Sequence, residues 1–137
     1  MSRRYALALD LKDDPQLIAE YEAHHRRVWP EILDGIRRSG ILSMEIYRLR
    51  TRLMMVMEAA DDFSFERKAA ADQADPKVQE WEALMWKYQQ AIPGGAPGAK
   101  WQVMERIFEF PLPGGPESCQ AALEASPSRV SDAKVAG

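Results

Sequence analysis

The segment YEAHHRRVWPEIL, Tyr21 to Leu33, sets both histidines of this 137-residue chain side by side, after a tyrosine and before a Trp-Pro pair. Histidine is the side chain whose ordinary pKa lets it gain or lose a proton near neutral pH, so the segment offers acid–base chemistry. On a helix turning about 100° per residue, Ile18, Tyr21, His25 and Val28 share one face, and Leu17, Tyr21, His24 and Val28 share a face equally well. Spacing therefore places Tyr21 beside a histidine without choosing which. Pro30 must break or kink that helix. If the first half ends near Arg26 or Arg27, its terminal carbonyls favour the imidazolium form of a nearby histidine, a proton donor. The bland alternative is a histidine hydrogen-bonded at the margin of a core. A metal pair fits poorly, because adjacent helical residues point in different directions and no zinc-type spacing accompanies them. One histidine could also serve as a haem ligand.

A second group of residues lies near the end of a later helix. Val78, Trp81, Met85 and Tyr88 form an apolar stripe, and Trp86 falls about 140° round from Trp81. Such a tryptophan is either a contact surface or a platform for the apolar face of a sugar, with its N–H as a donor. Trp29 and Trp101 are expected to be structural, and Glu20, Glu22 and the run FERKAAAD to be solvated helix faces. The PGGAPG segment precedes a strand and lacks the pattern of a phosphate-binding loop. Cys119 has no histidine near it in sequence to support a nucleophile.

The elements that must hold these residues are legible from period and punctuation. Tyr5, Leu7, Leu9 and Leu11 alternate with Ala6, Ala8 and Asp10, which predicts a strand. Asp14-Pro15 supplies an N-cap and a first helical residue, and Gly40 a C-cap for the half beyond Pro30. ILSMEIYRL and LMMVMEA flank RTR as a hairpin. Asp61 and Asp62 are expected to cap a helix through FSFERKAAADQ, and Asp75-Pro76 one through about Gln90. WQVMERIFEF then reads as a final strand. Strand, broken helix, two strands, broken helix, strand is the ferredoxin-like α+β pattern, an antiparallel sheet with helices on one face. The bare face of such a sheet invites a second copy, giving a dimeric αβ barrel.

Composition narrows the function classes. With 46% hydrophobic and 28% charged residues the chain reads as one globular domain, and its net charge of −3 provides no basic footprint for nucleic acid. No run approaches the roughly 20 apolar residues of a membrane span, and the N-terminus lacks a signal peptide's hydrophobic region. A single cysteine fits a reducing compartment, so a cytoplasmic protein is expected. Residues 111–137, rich in Pro, Gly, Ser and Ala, are expected to form a mobile tail after a domain of residues 1–110.

Tyr21, His24-His25 and VWPEI after a first strand, then MEIYRL, then WKY at a helix end, resemble the L-rhamnose mutarotase family from Arg4 to about Phe110. The resemblance implies dimeric αβ proteins that interconvert the α and β anomers of a deoxy sugar, with no cofactor and no metal. It implies His25 as the catalytic proton donor and Tyr21 as a sugar-binding residue; the base stays open. The family's second sugar-binding tyrosine falls at Met44 and its tryptophan pair at Met85-Trp86, so only the second tryptophan is kept. Met44, Met85 and Trp86 are accordingly the remaining expected substrate-binding positions. A lost sugar-binding hydroxyl changes which substrate is satisfied, so the expected substrate is a 6-deoxy-hexose of the L series, L-fucose or L-rhamnose, with L-fucose the first alternative to L-rhamnose. The alternatives are a haem or monooxygenase-like αβ-barrel protein and a non-catalytic sugar-binding module.

Overall fold

The computed structural model describes residues 2–95 and 99–111, and the chain divides into units of residues 1–104 and 105–137. Among the described residues, all of the helices and strands lie in the first. Strand β1, Ser2–Leu11, is followed by helices α1, Pro15–His25, and α2, Pro30–Arg38. Strands β2, Ile41–Leu49, and β3, Arg52–Ala60, form the expected hairpin. Helices α3, Phe65–Ala74, and α4, Pro76–Trp86, lead to the two-residue strands β4, Gln89–Gln90, and β5, Gln102–Val103.

The sheet is antiparallel with order β2-β3-β1-β4, and β5 pairs with β1. This is the ferredoxin-like α+β fold expected from the element order. One sheet face carries the core: Leu7 and Leu11 of β1 and Leu53 and Met57 of β3 join side chains of α1, α2 and α4 in two apolar clusters. Burying those side chains supplies most of the driving force for the fold, about 1.5–3 kcal/mol for each large one. The opposite face exposes Tyr47, Leu49 and Met54. Asp10 also lies on that side yet is buried; Arg52, its register partner across β1 and β3, donates to its carboxylate and satisfies the charge.

The Asp14 carboxylate accepts from the Gln16 and Leu17 amides at 2.9 and 3.2 Å, and Pro15 takes the first helical position. Pro30 starts α2, so α1 must stop before it, and its last helical residue is His25. Gly40, at φ 97°, carries the chain from α2 into β2 in a conformation that a side chain would strain.

Three boundaries differ from the sequence expectation. Ser64, rather than Asp61 or Asp62, caps α3 by accepting from the Arg67 amide at 3.1 Å, because a turn closed by the Phe63 amide on the Ala60 carbonyl uses up the aspartates. Helix α4 ends at Trp86 instead of Gln90, and Gln89 and Gln90 pair with Leu11 and Asp10. The final strand shrinks to Gln102–Val103, after which the Met104 amide closes on the Ala6 carbonyl at 2.7 Å. Residues 105–111 form no strand and contain an Arg106–Glu109 ion pair at 3.3 Å. Most of the expected tail, Cys119 included, lies outside the described residues, as does the end of PGGAPG.

Candidate active site

Between the helices and the core face of the sheet lies an open cavity of about 970 Å³. Tyr21 and His25 of α1 form one wall, Met44 and Arg48 of β2 another, and Trp81 and Met85 of α4 a third. Such a space is large enough for a monosaccharide.

The histidine that lines it is His25. The His25 ring stands 4.4 Å, centroid to centroid, from Tyr21 and 5.8 Å from Trp81, which meets it edge-on. Nδ1 lies 2.9 Å from the Tyr21 carbonyl oxygen, one helical turn back. A carbonyl can only accept, so Nδ1 carries a hydrogen, and in the neutral ring Nε2 holds the free lone pair. The helix-end carbonyl does favour the charged form, as the sequence suggested. Burial is the larger effect, and the neighbouring His24 adds to it, so the His25 pKa lies below the ordinary 6.5. The lowered pKa favours the neutral imidazole, whose Nε2 can accept a proton, against the pull of the helix-end carbonyls towards the imidazolium.

Tyr21 is 3% exposed, and its hydroxyl oxygen accepts from Gln89 Nε2 at 3.3 Å. Burial raises its pKa and keeps the phenol protonated. His24 turns away: its Nε2 is 3.2 Å from the Tyr88 hydroxyl, and it does not line the cavity. The Tyr88 pKa is raised by burial and by the Glu20 carboxylate near its hydroxyl. Geometry thus separates the two histidines, His25 into the cavity and His24 into a structural tie between α1 and the end of α4.

Four of the five expected site residues, Tyr21, His25, Met44 and Met85, line the same cavity. Trp86 does not: one residue beyond Met85 on α4, it is turned out of the wall, with the Lys100 ammonium 5.9 Å from its ring centroid. Trp101, expected to be structural, does line it, whereas Trp29 packs edge-on against Trp81 at 5.1 Å. Glu22 is no idle solvated carboxylate, since it accepts from Arg48 Nε at 2.6 Å in the cavity wall. Lys68 and Asp72 of the FERKAAAD run also line the cavity and pair at 2.7 Å. Gln89 also lines the cavity, a place that a helix expected through about Gln90 conceals and that its pairing with Leu11 on β1 provides. Among the described residues no group of three or more His, Cys, Asp or Glu side chains is arranged to hold a metal ion.

The fold and cavity define a ferredoxin-like α+β protein with a histidine and a tyrosine facing a sugar-sized space. The family model for L-rhamnose mutarotase matches residues 4–110. An L-fucose mutarotase of Xanthomonas campestris is 48% identical over 108 residues, covering 77% of this chain and 86% of that protein. A Dictyostelium discoideum protein is 37% identical over 115 residues, covering 79% of this chain and 90% of its own length. The crystal structure of L-rhamnose mutarotase from Formosa agariphila superposes with a TM-score of 0.59 at 18% identity, covering 79% of this chain and 98% of its own. The tetracenomycin F2 cyclase of Streptomyces glaucescens, a polyketide cyclase, shares the fold with a TM-score of 0.53 at 18% identity, covering 81% and 99%. The chain belongs to the L-rhamnose mutarotase family, isomerases acting on carbohydrates.

Proposed function

We propose that this protein is an L-fucose mutarotase, interconverting the α and β anomers by opening and reclosing the sugar ring at His25. The observation that carries the reading is the His25 ring, its Nδ1–H held by the Tyr21 carbonyl, beside the Tyr21 phenol in a monosaccharide-sized cavity, with burial lowering the pKa of the one and raising that of the other. The relative named as an L-fucose mutarotase supports the sugar, as does the thioether at Met44. Neither a haem protein nor a non-catalytic module is supported by the family match or by these relatives.

The steps follow from where the protons must go. Nε2 of His25 takes the proton of the anomeric hydroxyl as that oxygen becomes the aldehyde carbonyl and the bond from C1 to the ring oxygen breaks. The imidazolium then delivers the same proton to the former ring oxygen, two bonds away on the same sugar. Tyr21 donates a hydrogen bond that holds the sugar while charge develops. The aldehyde rotates, and the reverse sequence closes the ring on its other face. His25 ends neutral, and no electrons are gained or lost. His25 is thus the base of ring opening as well as the acid that completes it.

This assignment fixes a pH profile. The active form is neutral and its pKa lies below 6.5, so kcat/KM is expected to be flat at neutral pH and to fall about tenfold per unit on the acid side, with an apparent pKa below 6.5. A rate that instead falls as pH rises through that region would mean that the imidazolium is the reactive form. The sugar is tested by anomer-exchange NMR with L-fucose and L-rhamnose. The expected outcome is a higher kcat/KM for L-fucose, and a preference for L-rhamnose would reverse the choice of substrate.

We also propose a homodimer, formed by the sheet face that exposes Tyr47 and Leu49. Met54, 38% exposed, lies on the same face opposite Tyr47. Met54→Lys is expected to raise the dimer Kd about tenfold or more by sedimentation, and an unchanged dimer would place the contact elsewhere. The single cysteine supports a cytoplasmic location, and no helix among the described residues is long and apolar enough to cross a membrane.

A further inference from the structure

Among the described residues lining the cavity, Gln89 is the only amide side chain. It faces inward because β4 runs antiparallel to β1 with Gln89 opposite Leu11, whose side chain belongs to the helix-side core. The residue is 6% exposed. A glutamine amide carries two N–H donors and an oxygen with two lone pairs. Here one donor is used, Nε2 to the Tyr21 hydroxyl oxygen at 3.3 Å, and Tyr21 is the only partner of this amide among the described residues. Buried amides are normally fully paired, since unmet donors and acceptors are costly to keep from water. Gln89 lines the space the sugar would fill, and a sugar hydroxyl, both donor and acceptor, matches the unused capacity of its amide. Across the cavity, position 44 offers only a thioether.

We propose that Gln89 reads one hydroxyl of the 6-deoxy-hexose directly, through its amide oxygen and second N–H, while its first N–H orients Tyr21. The inference rests on the mutarotase reading of this cavity. Because Gln89 donates to the phenolic oxygen, the Tyr21 hydrogen is left to point at the substrate. One side chain thus couples recognition of a hydroxyl to alignment of the residue that holds the ring.

Gln89→Leu and Gln89→Met remove the amide while keeping the size of the residue, and comparison of their Tm with the wild type selects folded variants. Anomer-exchange NMR across a concentration series with L-fucose and its monodeoxy analogues, each lacking one hydroxyl, gives KM and kcat. The expected result is a KM for L-fucose raised about tenfold, the net value of a lost hydrogen bond, with a smaller fall in kcat from the loss of Tyr21 alignment. One deoxy analogue, the one lacking the hydroxyl that Gln89 reads, should be handled equally by variant and wild type. The KM penalty should also persist in a Tyr21→Phe background. An unchanged KM, the same penalty for every sugar, or a penalty that disappears with the Tyr21 hydroxyl would overturn the proposal. Wild-type protein that fails to speed exchange would refute the mutarotase reading itself, a distinguishable outcome.

Discussion

His25→Ala is expected to lower the rate of catalysed anomer exchange by about 10²–10⁴-fold while leaving the protein folded, because it removes the group that carries the proton between two sugar oxygens. Its neighbour provides the control. His24→Ala should keep the rate within a few-fold, since His24 meets Tyr88 rather than the cavity. It should instead lower stability by about 1 kcal/mol, the usual net value of one hydrogen bond. Exchange kinetics and urea denaturation on both variants check the pair. The reverse pattern, an inactive His24 variant beside an active His25 variant, would contradict the assignment.

Trp81→Ala is expected to cost about 3–5 kcal/mol of stability, as large aromatic truncations in cores do. Trp81 is the aromatic hub of the site: it meets Trp29 at 5.1 Å, His25 at 5.8 Å and His24 at 6.4 Å, each edge-on, and it is 9% exposed. The same truncation should admit water to His25. Desolvation is the largest cause of its lowered pKa, so the acid limb of the pH profile should move up towards 6.5 in any folded fraction. Urea denaturation reads the first effect and the pH profile the second. A loss under about 1 kcal/mol would show that the site does not depend on this ring.

These two residues also show how far the sequence reaches. The apolar stripe through Val78, Trp81, Met85 and Tyr88 is readable from spacing, and all four are buried. So are the caps at Asp14 and Asp75 and the break at Pro30, because proline and carboxylate positions act locally. The family pattern separates His25 from His24, which helical spacing cannot do. The structure adds a reason, since α1 stops at His25 and leaves its ring on the Tyr21 carbonyl.

Other features depend on distant partners and escape a local reading. The direction of the His25 pKa shift is one: the nearby carbonyl favours protonation, but burial beside Tyr21 and Trp81 outweighs it. The pairing of Glu22 with Arg48 joins residues 26 positions apart. Gln89 is hidden for a related reason. Its sequence neighbours continue a helical pattern, and only pairing with β1 turns it into the cavity. Trp86 is the converse case, on the expected helix but one step round from the wall.

The most direct test is two-dimensional exchange NMR of the anomeric protons of L-fucose near pH 7 with a substoichiometric amount of protein. Cross-peaks between the α and β anomeric signals are expected to grow with wild-type protein and to be absent with His25→Ala. Exchange at the uncatalysed rate with folded wild-type protein, or undiminished exchange with His25→Ala, would contradict that expectation.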